Sequence, residues 1–224
     1  MDEQEREEVG MFARDRDLLV LEPSLVRDIG WVGQRLVQGT GSIAGTTLTM
    51  TSQDVGFDDA GVDSGGVVVV GGVVYEVVAQ LSASTLTISR MRGADDGAVL
   101  TPSPVTGVGV EVPTFLPQLA MVHGQVLRML GIDPDEAAGV GVVSESSIVN
   151  PGSFVLLEAL GTLHLVFAAA SALASEGSPA AFKMGMYRER FAAERGRVSA
   201  RIDTDGDGVA DATRRPSVVQ LVRA

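Results

Sequence analysis

The chain has no cysteine, one lysine and two histidines among its 224 residues. The missing cysteines exclude a disulfide framework, a thiolate zinc site and a thiol nucleophile. Two histidines, His123 and His164, are too few for a multi-histidine metal centre. The single lysine, Lys183, sits in Ala181-Phe182-Lys183-Met184, so a phosphate-gripping loop ending in Lys-Ser/Thr is absent. Aromatic residues make up only 4 %. The start, MDEQEREEVG, has neither the basic region nor the apolar stretch of a signal peptide, and we expect a soluble protein made in a cytoplasm. The longest apolar run, 154–174, contains Glu158 and His164 and is expected to be a helix buried in protein rather than in lipid.

What the chain does have is acid. The net charge is −12 and the pI about 4.5. Residues 1–112 hold seven basic against seventeen acidic side chains, and residues 113–224 hold ten against twelve. A protein that grips nucleic acid uses Lys and Arg on phosphates, so this balance argues against a DNA-binding site. It does not argue against DNA as passing cargo, because a conduit must not hold phosphate.

Hydrophobic periodicity divides the chain. An acidic arm at 1–17 is followed by helical spacing from Pro23 to Val37, with Trp31 near the buried side and Gly39 as a stop. Residues 39–112 change to short β-branched runs, among them 46–51, 67–70, 73–80, 85–90 and 108–112. Gly71-Gly72 between two valine runs signals a hairpin, since both residues can take positive φ. Helical spacing returns at 114–130, 151–174 and 179–202. The middle helix is apolar nearly all round and is expected at the centre of a bundle. The predicted fold is therefore α+β. An α-helical bundle (1–38 and 113–202) carries an inserted small antiparallel β barrel or sandwich (39–112), and an Asp-rich loop and extended C-terminal tail (203–224) follow.

Enzyme motifs mostly fail. Gly39-Thr40-Gly41-Ser42-Ile43-Ala44 matches a dinucleotide fingerprint formally, but a predicted helix precedes it where a strand is required, so it reads as a helix-to-strand turn. His123 and His164 read as core or boundary histidines. Asp58, Asp59 and Asp63 would be the first suspects for a carboxylate site and otherwise read as solvated loop. One motif has chemical content. Asp203-Thr204-Asp205-Gly206-Asp207-Gly208-Val209-Ala210-Asp211 places carboxylates at alternate positions, as a hard cation needs. Asp203, Asp205, Asp207, the Val209 carbonyl and Asp211 are the candidate Ca²⁺ ligands. Arg214 stands where an EF-hand requires a bidentate acid, which rejects that loop. Alternatively the segment is an Asp/Gly-rich turn whose charge Arg201, Arg214 and Arg215 neutralise. The helix before it is locally basic, with six basic and two acidic side chains from Lys183 to Arg201. Arg188, Arg190, Arg195, Arg197 and Arg201 are candidates for inter-subunit or channel contact, facing an acidic surface of a neighbouring copy.

Three stretches together resemble the head–tail connector (neck adaptor) proteins of tailed bacteriophages and gene transfer particles. They are Asp15-Arg16-Asp17-Leu18-Leu19-Val20-Leu21-Glu22-Pro23, Gln118–Asp133 and Leu157–Ala174, and the Asp-rich segment followed by Val218-Val219-Gln220-Leu221 fits the same pattern. The resemblance implies a non-enzymatic virion protein of the neck. It would form a ring, typically dodecameric, beneath the portal, would contact tail or stopper proteins, and would prolong the DNA channel. It also implies a C-terminal tail gripping the portal, for which Val218, Val219 and Leu221 are the candidates. The β segment departs from the family pattern. Two other classes stay open: a calcium-dependent surface- or carbohydrate-binding module, and an enzyme with an unrecognised carboxylate site.

Overall fold

The computed structural model describes residues 10–135, 142–175 and 177–216. Thirteen elements follow in chain order: α1 (Asp15–Leu21), α2 (Leu25–Ile29), β1 (Gln34–Ala44), β2 (Thr47–Gln53), β3 (Val67–Val70), β4 (Val73–Ser82), β5 (Thr85–Ser89), β6 (Val105–Thr114), α3 (Leu116–Met129), α4 (Val155–Ala172), α5 (Pro179–Arg195), β7 (Ala200–Ile202) and β8 (Ala212–Arg214).

β1 to β6 form a closed antiparallel barrel in the order β1-β2-β5-β4-β3-β6, sealed by β1 against β6. Closure leaves no free sheet edge. Gly71 (φ 59°) and Gly72 (φ 82°) turn the β3–β4 hairpin between Val70 and Val73, as their spacing predicts. Alternation fills the interior. Leu86 and Ile88 of β5, and Val110 and Val112 of β6, point inward with Val37, Leu48, Phe57, Val68 and Val77.

The fold corrects the expectation of a helical bundle bearing a small β insertion. The barrel is a principal body with its own core, and among the described residues only α3, α4 and α5 are long helices. The predicted helix over 23–37 shrinks to the five residues of α2 and a 3-10 turn at Gly30–Val32. Gly30 and Gly33 weaken the helix, and Gln34 onward gains a full ladder against β6, Gln34 opposite Thr114 and Val37 opposite Val112. Trp31, expected near the buried side, is 60 % exposed. The formal dinucleotide fingerprint is neither turn nor phosphate loop but the C-terminal half of β1. A Cβ on Gly39 would lie 2.0 Å from the Ser52 carbonyl oxygen, so glycine there admits the neighbouring strand. The helix predicted to reach Ile202 ends at Arg195. Val198, Ala200 and Ile202 then alternate inward with the two-residue period of a strand, and β7 pairs with β8.

α4 packs against α1, α3 and α5, and two apolar clusters form around it. One holds Leu18, Leu25, Leu119, Leu163, Phe167 and Tyr187. The other holds Val126, Leu127, Phe154, Leu157 and Ile202. The span 151–172 is long and apolar enough to cross a membrane, but most of it is buried inside the molecule.

Candidate functional site

Residues 11–22 form a strap that ties barrel and helices together. Several of its polar groups reach different elements. The Phe12 amide donates to Glu158 Oε2 of α4 at 3.2 Å. Asp15, only 4 % exposed, accepts from the Thr114 hydroxyl at 2.7 Å and the Phe115 amide at 2.8 Å, where β6 passes into α3. Burial pushes the Asp15 carboxyl up to about 6, although both hydrogen bonds favour its charge. Arg16 bonds Glu76 Oε2 at 3.2 Å, pairs with Asp95 and donates to the Arg92 carbonyl at 2.8 Å. Glu76 is fully buried on β4, and Arg92 closes its other side through Nε. Glu22 accepts from Lys183 Nζ at 2.6 Å and from the Tyr187 hydroxyl at 2.9 Å. Burial and the Glu22 charge both raise the Tyr187 hydroxyl. The one lysine of the chain is thus a joint between strap and α5.

A second buried charge cluster lies where α3 meets α4. His123, 3 % exposed, has Nδ1 at 3.1 Å from Glu158 Oε2 and Nε2 at 3.1 Å from Glu145 Oε2. Phe12 stacks on the ring at 4.7 Å with a 57° tilt. Burial opposes the imidazolium, but the two carboxylates outweigh it and lift the ring to about 9. Burial likewise raises the Glu158 carboxyl, against the pull of His123 and the Ala13 and Phe12 amides. His164 differs, with Nδ1 3.2 Å from the Met184 carbonyl, a link between α4 and α5.

The carboxylate motif forms the loop between β7 and β8. Asp203 Oδ1 accepts from the Asp205 and Gly206 amides at 3.2 and 2.7 Å, and Oδ2 from the Gly208 amide at 2.7 Å. Those amides hold its carboxyl below the usual range. Asp205 goes the other way: the Asp207 amide draws it down, but the charges of Asp207 and Asp211 outweigh that and raise it. Ligand atoms of Asp203, Asp205 and Asp211 lie within 4.8 Å of one another, an all-oxygen set suited to a hard cation. Asp207 instead accepts from the Val209 amide at 2.7 Å. Among the described residues, no ion pair joins Arg201, Arg214 or Arg215 to the loop carboxylates. Arg214 donates to the Leu130 and Gly131 carbonyls at the end of α3. Arg201 is exposed on β7.

The basic residues of α5 do not share one face. A helix turns about 100° per residue. Arg188 and Arg195 therefore flank the apolar Met184–Tyr187–Phe191 stripe on one side and Arg190 on the other, while Arg197 lies past the end of the helix. Arg197 pairs with Glu194 at 3.6 Å. Arg190 lies 5.8 Å from the Tyr187 ring centre. Among the described residues, no carboxylate pairs with Arg188, Arg190, Arg195 or Arg201.

Asp58, Asp59 and Asp63 do not converge. All three are exposed, and Asp58 and Asp63 each accept from the amide of the next residue. Asp63 lines a cleft of about 220 Å³ between strap, β6 and the 61–67 segment, whose acid floor is Asp15. Val218, Val219 and Leu221 lie outside the described residues. Sequence reasoning missed Asp15, Glu76, Arg92 and the His123–Glu158 pair. The available signal was Glu76 alone within the apolar run 73–79, and Glu158 alone in the apolar helix. No protein-family model, curated protein or solved structure matches this chain.

Proposed function

We propose that the chain is a structural neck component, a head–tail connector that repeats as a ring beneath a phage-type portal and prolongs the DNA channel. One observation carries this reading: the surface charge is divided in a way that one copy leaves unsatisfied. Arg188, Arg190, Arg195 and Arg201 have no carboxylate partner among the described residues, while Asp58, Asp59 and Asp63 form no ion pair on the barrel. A heterologous contact between copies joins such surfaces, and repetition of that contact closes a ring. The resemblance supports the same reading from another side. Its three stretches are the strap, α3 with its C-terminal turn, and α4, which pack on one another. The barrel lies outside them and serves as an outward- or tail-facing decoration. Portal, tail or stopper proteins and transiting DNA are the partners.

Native mass spectrometry and negative-stain imaging at low and high salt test the proposal. Rings that dissociate with salt, and that Arg188→Glu with Arg195→Glu prevents, are the expected result. Monomer at every protein and salt concentration refutes it. The second reading, a calcium-dependent binding module, is favoured by the Asp203–Asp205–Asp211 cluster. Under that reading a chelator abolishes surface binding, whereas the connector keeps its fold.

A further inference from the structure

We propose that His123 is a proton-operated staple: as imidazolium it holds the 144–150 segment, and through it β7 and the carboxylate loop, on the helical body, and as neutral imidazole it releases them. The argument begins with valence. Glu158 Oε2 is hydrogen-bonded to Nδ1 at 3.1 Å, and Glu145 Oε2 lies 3.1 Å from the buried Nε2 as an ion-pair contact outside hydrogen-bond geometry. An ionised carboxylate is attracted to an N–H and repelled by a nitrogen lone pair, and only the protonated ring turns an N–H toward both acids. A neutral ring serves one carboxylate and turns a lone pair on the other. These two acids are the charged groups that face the ring among the described residues, and the strap adds only the Phe12 ring. The elevated affinity of the ring for its proton, with titration near 9, follows from the same two partners.

The path outward is short and built of named bonds. Glu145 opens the 3-10 turn Glu145–Ser147. The Ser147 carbonyl accepts from the Asp203 amide at 2.9 Å, and the Val149 amide donates to the Arg201 carbonyl at 3.0 Å. Ile148 bridges to Ile202, and Asn150 accepts from the Arg201 amide at 2.7 Å through Oδ1. The 147–150 segment is therefore the outer neighbour of β7, and β7 carries the loop. The Glu145 side chain keeps 27 % exposure, so it has a solvated position to move to once the ring loses its charge. Glu158, fully buried, has none. Release therefore falls on the Glu145 side.

The test follows the ring and the joint together. His123 ring protons are titrated by NMR, and hydrogen exchange of the Val149 and Asp203 amides is followed over the same pH range, corrected for intrinsic base catalysis. The ring is expected to titrate near 9. Protection of the two amides is expected to fall roughly tenfold or more in step with it. The Ile88 amide, bonded to the Thr46 carbonyl inside the barrel, keeps its protection and reports that the protein stays folded. Glu145→Gln is expected to lower the titration of the ring and to weaken protection of Val149 and Asp203 already at neutral pH. A ring that titrates near the free-histidine value, about 6.5, overturns the proposal. So does amide protection indifferent to the ring, or a Glu145→Gln variant that changes neither readout.

Discussion

Replacing Asp15 by Asn is expected to stabilise this protein at neutral pH, although it alters a fully hydrogen-bonded buried residue. Asp15 lies between the strap and the β6–α3 junction, and its carboxyl is raised from 3.8 to about 6. A group whose folded value is raised contributes most below its unfolded value, and the contribution is lost as pH rises through the folded one. Asp15 therefore weakens the fold progressively from about pH 4 to about pH 6. At 1.36 kcal/mol per pH unit, the loss is about 3 kcal/mol, to order of magnitude. Asparagine carries no charge to bury, and its carbonyl can still accept from the Phe115 amide. The Thr114 hydroxyl must turn to accept from the new NH₂, which offsets about 1 kcal/mol. The net expectation is a gain of about 2 kcal/mol above pH 7 and a deficit of about 1 kcal/mol at pH 4. Urea unfolding of both proteins at several pH values measures it. Asp15→Ala is the control: it strands both donors, at about 1–3 kcal/mol, and should be less stable than Asp15→Asn at every pH. If Asp15→Asn is the weaker protein at neutral pH, or if the gap between the two proteins does not change with pH, the reasoning is wrong.

Glu76→Gln should be among the most damaging single changes, about 3–5 kcal/mol in chemical denaturation, because it leaves Arg16 and Arg92 buried without their common counter-charge. Gly39→Ala should cost about 2–4 kcal/mol, since its Cβ meets the β2 backbone, whereas Gly72→Ala meets no atom and pays only the strain of its positive φ; thermal melts of the pair compare them. Calorimetric titration of Ca²⁺ into the wild type should show saturable heat that Asp205→Asn with Asp211→Asn abolishes. Heat that survives the double change moves the cation elsewhere, and its absence in the wild type removes the cation from the loop.

Much of the strand content was legible because its signals are local. Gly71-Gly72 demands positive φ, and the valine runs on either side pair as that turn requires. The apolar circumference of α4 likewise announced a helix enclosed by others. The two misread helices fail for one reason. In 23–37 and 196–202 the apolar residues fit both the helical and the strand period, and the decision lay with partners far away in the chain. β1 is a strand because β6 lies some seventy residues downstream. β7 is a strand because 147–150 and β8 stand on either side of it.

The candidate site divides in the same way. The carboxylate loop is a local motif, so its residue types and spacing determined it, and the tertiary structure only reduced the converging set to Asp203, Asp205 and Asp211. The arginines of α5 were visible in composition, but only the helix geometry shows that they straddle its apolar stripe. The strap was invisible, and the His123 cluster showed only as separate signals, His123 as a core or boundary histidine and Glu158 alone in an apolar run. Asp15, Arg16 and Arg92 look in sequence like ordinary charged residues. Their chemistry comes from burial, and burial is a property of the packed chain. The sequence determined where charges and turns are placed; the tertiary structure decided which charges lose water and must find one another.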